Sequence, residues 1–386
     1  MRLVQLTQPV RHRRPLPPPD TVRTLIRQYG AGEPLSCDPL STGLLNHGYR
    51  LVTTRGHYFL KNHLADTDSG PRPAPAAAPA GPTAEDTAPA LGTIVRQHRA
   101  TARLAALGLP VVPPLADAGG RTVVVLDGRA YALHPWIEGR HRDGAQLTTE
   151  QSRRLGTLLG QVHTCLARVM GTGGRGEHPT GLAGPGAPGR VPGGPFAPAD
   201  PADTKELIAE LLVRIRARTR PDAFDRLAEH RLVERRALLR RYADRRPAAG
   251  SAPPEGWVHG DFHPLNLLYR EADPVAIVDW DRLAVRPCAE ETVRGAAIFF
   301  VRPDGSLDLP KVRAYARAYR QAARASADEL CAAVHRVWWE RLNDFWTLRW
   351  RYQLRDTRAD PLFPALSALA VWWTRHYEEV RTAFSR

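Results

Sequence analysis

Residues 257–281 read WVHGDFHPLNLLYREADPVAIVDWD and place His259, Asp261, His263, Asn266, Asp279 and Asp281 between short apolar runs. A solvated turn, a metal site or the floor of an active site would each gather such groups. Asp261 and Asn266 taken singly are ordinary turn formers, and Asp279 alone would be a strand end. Together with His259 they fit a more demanding pattern, H-x-D-x-x-x-x-N followed by an Asp after the β-branched run VAIV. Phosphoryl transfer needs one carboxylate to orient an attacking hydroxyl and accept its proton, and an Asn and a second Asp to hold Mg2+ against nucleotide phosphates. A zinc site on His259 and His263 would need both on one face of a helix, and Gly260 and Pro264 argue against a helix there.

These groups converge if a loop over 259–266 runs into a hairpin made of the strand LLY, the turn READP and the strand VAIV, which delivers Asp279 at its end. Upstream, DTVRTLIRQYG reads as a helix with Asp20 as N-cap and Gly30 as its stop. GYRLVTT and HYFLKNH form a hairpin across the turn Thr54 to Gly56. Residues 66–91 are Pro/Ala-rich and read as an insert. TIVRQHRATARLAAL has helical periodicity, and RTVVVL and RAYALHPWI form a further strand pair. A helix capped by Thr148 or Thr149 opens a second region, a Gly/Pro-rich loop covers 171–202, and helices are expected over 203–218 and 224–245. The order is a strand-rich lobe at 1–135 and a helix-rich lobe at 136–386, an α+β organisation.

The chain of 386 residues carries a formal charge of +14, nearly all of it from arginine, with lysine only at Lys61, Lys205 and Lys311. A basic balance suits nucleic acid or a phosphate-bearing partner. No aromatic-interleaved basic stripe accompanies it, so the charge reads as solvated helix faces such as HRLVERRALLRRYADRR, and no nucleic-acid partner is expected. Cys37, Cys165, Cys288 and Cys331 lie far apart and form no CxxC pair, which argues against a zinc site or a disulfide framework. The N-terminal stretch has no continuous apolar core, and no run approaches the roughly 20 apolar residues of a membrane span. A soluble cytoplasmic protein with no membrane partner is expected, as a monomer or homodimer.

HGDFHPLNLL followed by IVDWD resembles the signature of the aminoglycoside phosphotransferase, choline kinase and homoserine kinase superfamily, relatives of protein kinases that phosphorylate small molecules. The resemblance implies a protein-kinase-like two-lobed fold. It makes Asp261 the catalytic base, Asn266 and Asp279 the Mg2+ ligands and His259 the brace of the catalytic loop. STGLLNHGYRL resembles the family's phosphate-covering loop, with Gly43, Asn46 and Gly48 at the matching positions, and Lys61 stands where a cation on the nucleotide phosphates is expected. The backbone around Leu133–Trp136, including His134, would meet the adenine edge. One feature departs from the pattern: the helix after the insert has no Glu to pair with Lys61, and Gln97 or His98, or Glu85 or Asp86 in the insert, falls nearest.

The resemblance places the acceptor against helices of the second lobe. HRVWWERLNDFWTLRWRY reads as one aromatic helix over 335–352, with Trp338, Leu342, Phe345 and Leu348 or Arg349 on related faces. Glu340 and Asp344, at i,i+4, would share a face, and with Trp339, His263 and Asp281 they are the acceptor candidates; Asp356 and Asp360 are weaker ones. Trp372 and Trp373 would pack against that helix. The implied reaction moves the γ-phosphate of ATP or GTP to a hydroxyl of an antibiotic, an amino sugar or a related metabolite, as in antibiotic resistance or self-resistance. A homoserine- or choline-type kinase and a non-catalytic nucleotide-binding module are the other readings. The basic charge counts against a polycationic aminoglycoside as acceptor.

Overall fold

The computed structural model describes residues 16–40, 47–63, 84–171 and 197–386; of residues 47 and 84–90 it describes the backbone alone. The chain divides into two compact units, one of residues 1–102 and 112–137, the other of residues 103–111 and 138–386.

In the first unit, α1 (Pro19–Gln28) buries Val22, Leu25 and Ile26, one stripe at helical spacing. It stops at Gly30, whose φ of +61° turns the chain out of the helix. The expected cap at Asp20 is not used: the cap position falls two residues earlier, at Pro18, and the helix starts at Pro19, whose fixed φ suits a first helical position, while Asp20 pairs with Arg23. Five antiparallel strands follow, β1 (Pro34–Pro39), β2 (His47–Thr53), β3 (Gly56–His63), β4 (Val124–Leu126) and β5 (Arg129–Pro135), in the spatial order β1-β2-β3-β5-β4. Tyr49, Leu51, Leu60, Val124, Tyr131 and Leu133 of the sheet close on Leu25, Ile26 and Tyr29 to form this unit's core. The helix α2 (Ala84–Ala106) begins inside the stretch expected as an insert, ahead of the helical periodicity read from Thr93 onward.

The second unit is mainly helical. The helix α3 (Thr149–Met170) starts with a capping box in which Thr148 and Gln151 satisfy each other's backbone N–H. After it come α4 (Pro201–Arg216) and α5 (Ala223–Arg241). Two small antiparallel pairs follow, β6 (Glu255–Val258) with β9 (Ala284–Pro287) and β7 (Leu267–Arg270) with β8 (Asp273–Ile277). The remainder is α6 (Cys288–Phe299), α7 (Leu309–Ala323), α8 (Ala327–Asn343), α9 (Trp346–Tyr352), α10 (Phe363–Arg375) and α11 (Tyr377–Ser385). Trp338, Trp339, Trp373, Tyr315, Tyr319 and Phe299 are fully buried, and the Trp338 indole N–H donates to Thr374 Oγ1 at 3.0 Å, joining α8 to α10. Trp372 is only partly buried.

The aromatic helix expected over 335–352 is two helices. At Asp344 the backbone turns extended (φ −97°, ψ 124°); its carboxylate accepts the N–H of Trp346, and the Asn343 amide donates back to Trp339 O. Short polar side chains that bond nearby backbone compete with the helix, and two in succession end it here. All four cysteines are free thiols, and among the described residues no helix is long and apolar enough to cross a membrane.

The helices α3 and α7 approach through glycine. A Cβ on Gly156 would lie 2.1 Å from Tyr315 O, and one on Gly160 would lie 2.7 Å from the Ala322 methyl. Gly92 on α2 has open space around the same position. Gly156→Val is therefore expected to lower unfolding free energy by about 3 kcal/mol, whereas Gly92→Ala raises it by about 0.5 kcal/mol. Denaturant titration of the two variants checks the opposite signs.

Candidate active site

The strand β6 leaves its pairing with β9 and enters His259-Gly260-Asp261. Gly260 has φ +84°, and a Cβ there would sit 2.0 Å from Arg282 O, so only glycine fits this turn. His259 is fully buried, with its ring 4.5 Å from that of Trp280. Its Nδ1 accepts the N–H of Asp261 at 3.2 Å, which leaves Nε2–H to donate to Val278 O at 3.0 Å. Burial pushes its pKa down, against the pull of Glu291 and Asp261, so it is a neutral imidazole.

Asn266 completes the hold. Its amide nitrogen donates to Asp261 O at 2.8 Å, and its own carbonyl accepts Val278 N at 2.9 Å. Asp261 is thus fixed on both sides of its backbone, by His259 at the N–H and by Asn266 at the C=O. Its carboxylate, 28% exposed, has His263 Nε2 at 3.6 Å and Arg282 Nε at 3.7 Å. Burial raises the carboxyl pKa, but His263 and Arg282 outweigh it and hold the group below the ordinary Asp value. His263 itself caps the short 3-10 turn Pro264–Asn266 by accepting Leu265 N. Asp279, exposed and at φ +61°, stands between Val278, which receives the His259 ring, and Trp280, whose indole donates to Ile277 O.

Beneath the loop lies a residue that motif reading passed over. The buried carboxylate of Glu291, on α6, accepts the backbone N–H of His259 at 3.1 Å, that of Gly260 at 2.5 Å and His163 Nε2 at 2.8 Å. His163 Nδ1 in turn meets the Tyr319 hydroxyl at 2.9 Å. Burial alone would raise the Glu291 pKa, yet the His163 hydrogen bond and charge hold it low. A sequence signal existed: Glu290-Glu291 open a helix, CAEETVRGAAIF, whose remaining residues are mostly apolar, and His163 interrupts the apolar face of LLGQVHTCLA.

In the first unit, Lys61 is buried on β3, in register with Gly48 of β2 and Ala132 of β5. Gly48 is required by packing, since a Cβ there would meet the Phe59 ring at 2.6 Å. Gln97 and His98 are both buried, and His98 Nδ1 meets Thr122 Oγ1 at 2.8 Å. His134 Nδ1 lies 3.3 Å from Val112 O, and Trp136 carries the Arg50 guanidinium at 5.0 Å from its ring centre. Gly43 and Asn46, and the side chains of Glu85 and Asp86, lie outside the described residues.

A family model described as the phosphotransferase enzyme family matches residues 36–330. The chain belongs to that family. As a phosphotransferase it acts on a hydroxyl acceptor, and the protein-kinase-like fold implied by its motifs is the fold of solved structures. A microcompartment-associated aminopropanol kinase is 15% identical with a TM-score of 0.55, over 94% of this chain and 99% of that one. Spectinomycin phosphotransferase APH(9)-Ia, solved with ADP and spectinomycin, is 14% identical with a TM-score of 0.55, over 96% and 99%. An aminoglycoside phosphotransferase from Alicyclobacillus acidocaldarius is 15% identical with a TM-score of 0.52, over 96% and 95%. No curated protein matches the sequence.

The phosphotransferase's expected acceptor residues do not form one group. Glu340 and Asp344 were expected on one helical face, but the break at Asp344 separates them: Glu340 ends on Arg294 at 2.7 Å, and Asp344 caps the next helix. Burial would raise the Glu340 carboxyl, but the charges of Arg294 and Arg341 bring it below its ordinary value. Burial raises that of Asp344. Trp339 is core, its indole N–H donating to Ala199 O at 2.9 Å. Asp360 is taken by Arg351 and Asp356 by Arg358, while Asp281 is half-buried beside Trp280.

Glu291→Gln would turn an amide N–H toward backbone and imidazole donors in a buried site, at a cost of about 3 kcal/mol in stability. Because the folded pKa of Glu291 is depressed, its contribution is complete above the unfolded value of about 4.3 and is lost as pH falls through the lower folded value. The stability gap between wild type and Glu291→Gln is expected to be flat from pH 5 to 8 and to shrink below about pH 4, as read by denaturant titration at each pH.

Proposed function

We propose that this phosphotransferase moves the γ-phosphate of a nucleoside triphosphate, with ATP as the donor, to a hydroxyl on a small molecule of the antibiotic, amino-sugar or related-metabolite kind, with Asp261 as the base. The observation that carries this reading is the clamp on Asp261. Its N–H and C=O are both held by His259 and Asn266, so the backbone that presents its carboxylate is fixed, and His263 and Arg282 keep that carboxyl below its ordinary pKa and so ionised at neutral pH. That carboxylate orients the acceptor hydroxyl and takes its proton at Oδ as the O–P bond forms, and the nucleoside diphosphate leaves. Positioning and charge account for most of such a catalyst's rate.

Two residues fit a metal. With the Asn266 amide nitrogen committed to Asp261 O, its Oδ1 is the atom left as a ligand, and the exposed Asp279 carboxylate is acceptor-only. Among the described residues no three His, Cys, Asp or Glu side chains gather around a cation. One carboxylate and one amide oxygen suit Mg2+, which takes its remaining ligands from water and substrate phosphates. When bound, that ion would neutralise charge on the transferred phosphate. The reading extends to Lys61 as the cation on the donor's phosphates, to the 41–49 stretch as their cover and to the backbone near His134 and Trp136 as the contact for the base. The ADP in the spectinomycin phosphotransferase supports an adenine nucleotide as donor.

Asp261→Asn and Asp279→Asn are each expected to lower kcat by about 10³-fold or more, with the thermal midpoint close to wild type. Asp279→Asn should also weaken Mg2+-dependent nucleotide binding, which Asp261→Asn leaves in place. Turnover is read against amino sugars, nucleoside antibiotics, aminoglycosides, choline and homoserine. Near-wild-type kcat in either variant would remove the assignment.

A further inference from the structure

The surface beside Asp261 is built from β9 and α6. In the β6–β9 pair Gly256 faces Arg286 and Val258 faces Ala284, and just beyond the last pair Gly260 packs directly on Arg282. Arg282 and Arg286 are both exposed and belong to the segment that flanks the catalytic loop. Behind them on α6 stands Arg294.

The acidic residues of this surface are already engaged. Arg294 takes Glu340 at 2.7 Å and one oxygen of Glu290 at 2.6 Å, and Arg336 takes the other oxygen of Glu290. Asp344 is held between its capping bond to Trp346 N and Arg341 at 3.7 Å. The Arg282 ion pair reaches only Asp261, at 3.7 Å, beyond hydrogen-bond length. Beyond the strand pairing of Arg286 with Gly256, its side chain has no hydrogen bond or ion pair with a described residue, and Glu340 and Glu291 act on it only at longer range. Partial burial, with the like charges of Arg294 and Arg282 added, pulls its guanidinium below the ordinary arginine value. This surface thus presents two exposed guanidinium groups, Arg282 at 3.7 Å from Asp261 and Arg286 with no carboxylate at ion-pair distance among the described residues, and such groups suit planar, bidentate anions.

We propose that the acceptor of this enzyme carries an anionic group, a carboxylate or a phosphate, bound by Arg286 together with Arg282, and that it is not a polycation. This rests on Asp261 being the base that activates the acceptor. An amine-rich acceptor would meet the charge of two exposed arginines, whereas a hydroxy acid places its hydroxyl near Asp261 and its anion on the guanidinium groups.

The test uses the full chain with Mg2+ and ATP and two matched acceptor sets, glycerate, glycerol and 3-aminopropane-1,2-diol, and gluconate, glucose and glucosamine. The acids are expected to lead their sets in kcat/KM by about tenfold or more. Arg286→Gln should raise KM for the acids by a similar factor and leave the KM for ATP in place. A preference for the amines, an acid preference that survives Arg286→Gln, or a loss that falls on the KM for ATP would each overturn the proposal, the last by assigning these arginines to the donor. If no member is turned over, citrate at fixed ionic strength decides. A rise in the thermal midpoint of wild type that is lost in Arg286→Gln supports the anion site, and equal rises overturn it. Loss of Mg2+-dependent ATP binding would count against the catalytic reading and leave the citrate result standing.

Discussion

One buried carboxylate organises the loop that carries Asp261. Glu291 receives the N–H groups of His259 and Gly260 and the imidazole of His163, so two consecutive loop residues are tied to a helix more than 30 positions downstream. Burying a carboxylate is costly, and three donors are what make it tolerable. Because α6 supplies the acid, α3 the histidine and α7 the tyrosine behind it, three packed helices converge on two backbone amides. The loop therefore takes its position from the helical core, which keeps the side chain of Asp261 out of the structural work and available for chemistry.

The same economy runs through the loop's own residues. His259 spends one nitrogen on Asp261 N and the other on Val278 O, and Asn266 spends its amide on Asp261 O. Each motif residue has a backbone partner as well as its proposed chemical task. Gly260 belongs to this set through space rather than chemistry, since its contact with Arg282 brings a cation within 3.7 Å of the Asp261 carboxylate. That contact links the loop's shape to the pKa of the group it presents.

The arginine content reads differently in three dimensions. Many arginines do lie on helix surfaces in pairs, as Arg153 and Arg154 do with Glu150, and Arg214 with Glu210. Arg235 does not: from the stretch read as a solvated face it is buried, donates to Arg341 O and Ser367 O and lies 5.4 Å from the Phe345 ring centre. Around α6, Arg294 and Arg336 take Glu290 and Glu340, Arg282 reaches Asp261 only at 3.7 Å, and the Arg286 side chain has no ion pair among the described residues. Net charge could not distinguish these three situations, because it counts residues and not partners.

The sequence by itself determined the family and the α+β class, and it marked the 259–279 loop and hairpin, since His259, Asp261, Asn266 and Asp279 lie within one short segment whose spacing encodes both. It also marked α1, the β2–β3 hairpin and the start of α3, where periodicity, a tight turn and a capping box act over a few residues. It misjudged the helix break at Asp344, where two side-chain bonds to backbone outweigh a continuous apolar pattern. Tertiary structure alone decided that Glu291 and His163 support the loop, that Glu340 is occupied by Arg294, and that Arg282 lies 3.7 Å from Asp261. Those facts depend on which side chains meet across separate helices and strands, and spacing along the chain carries no record of such meetings.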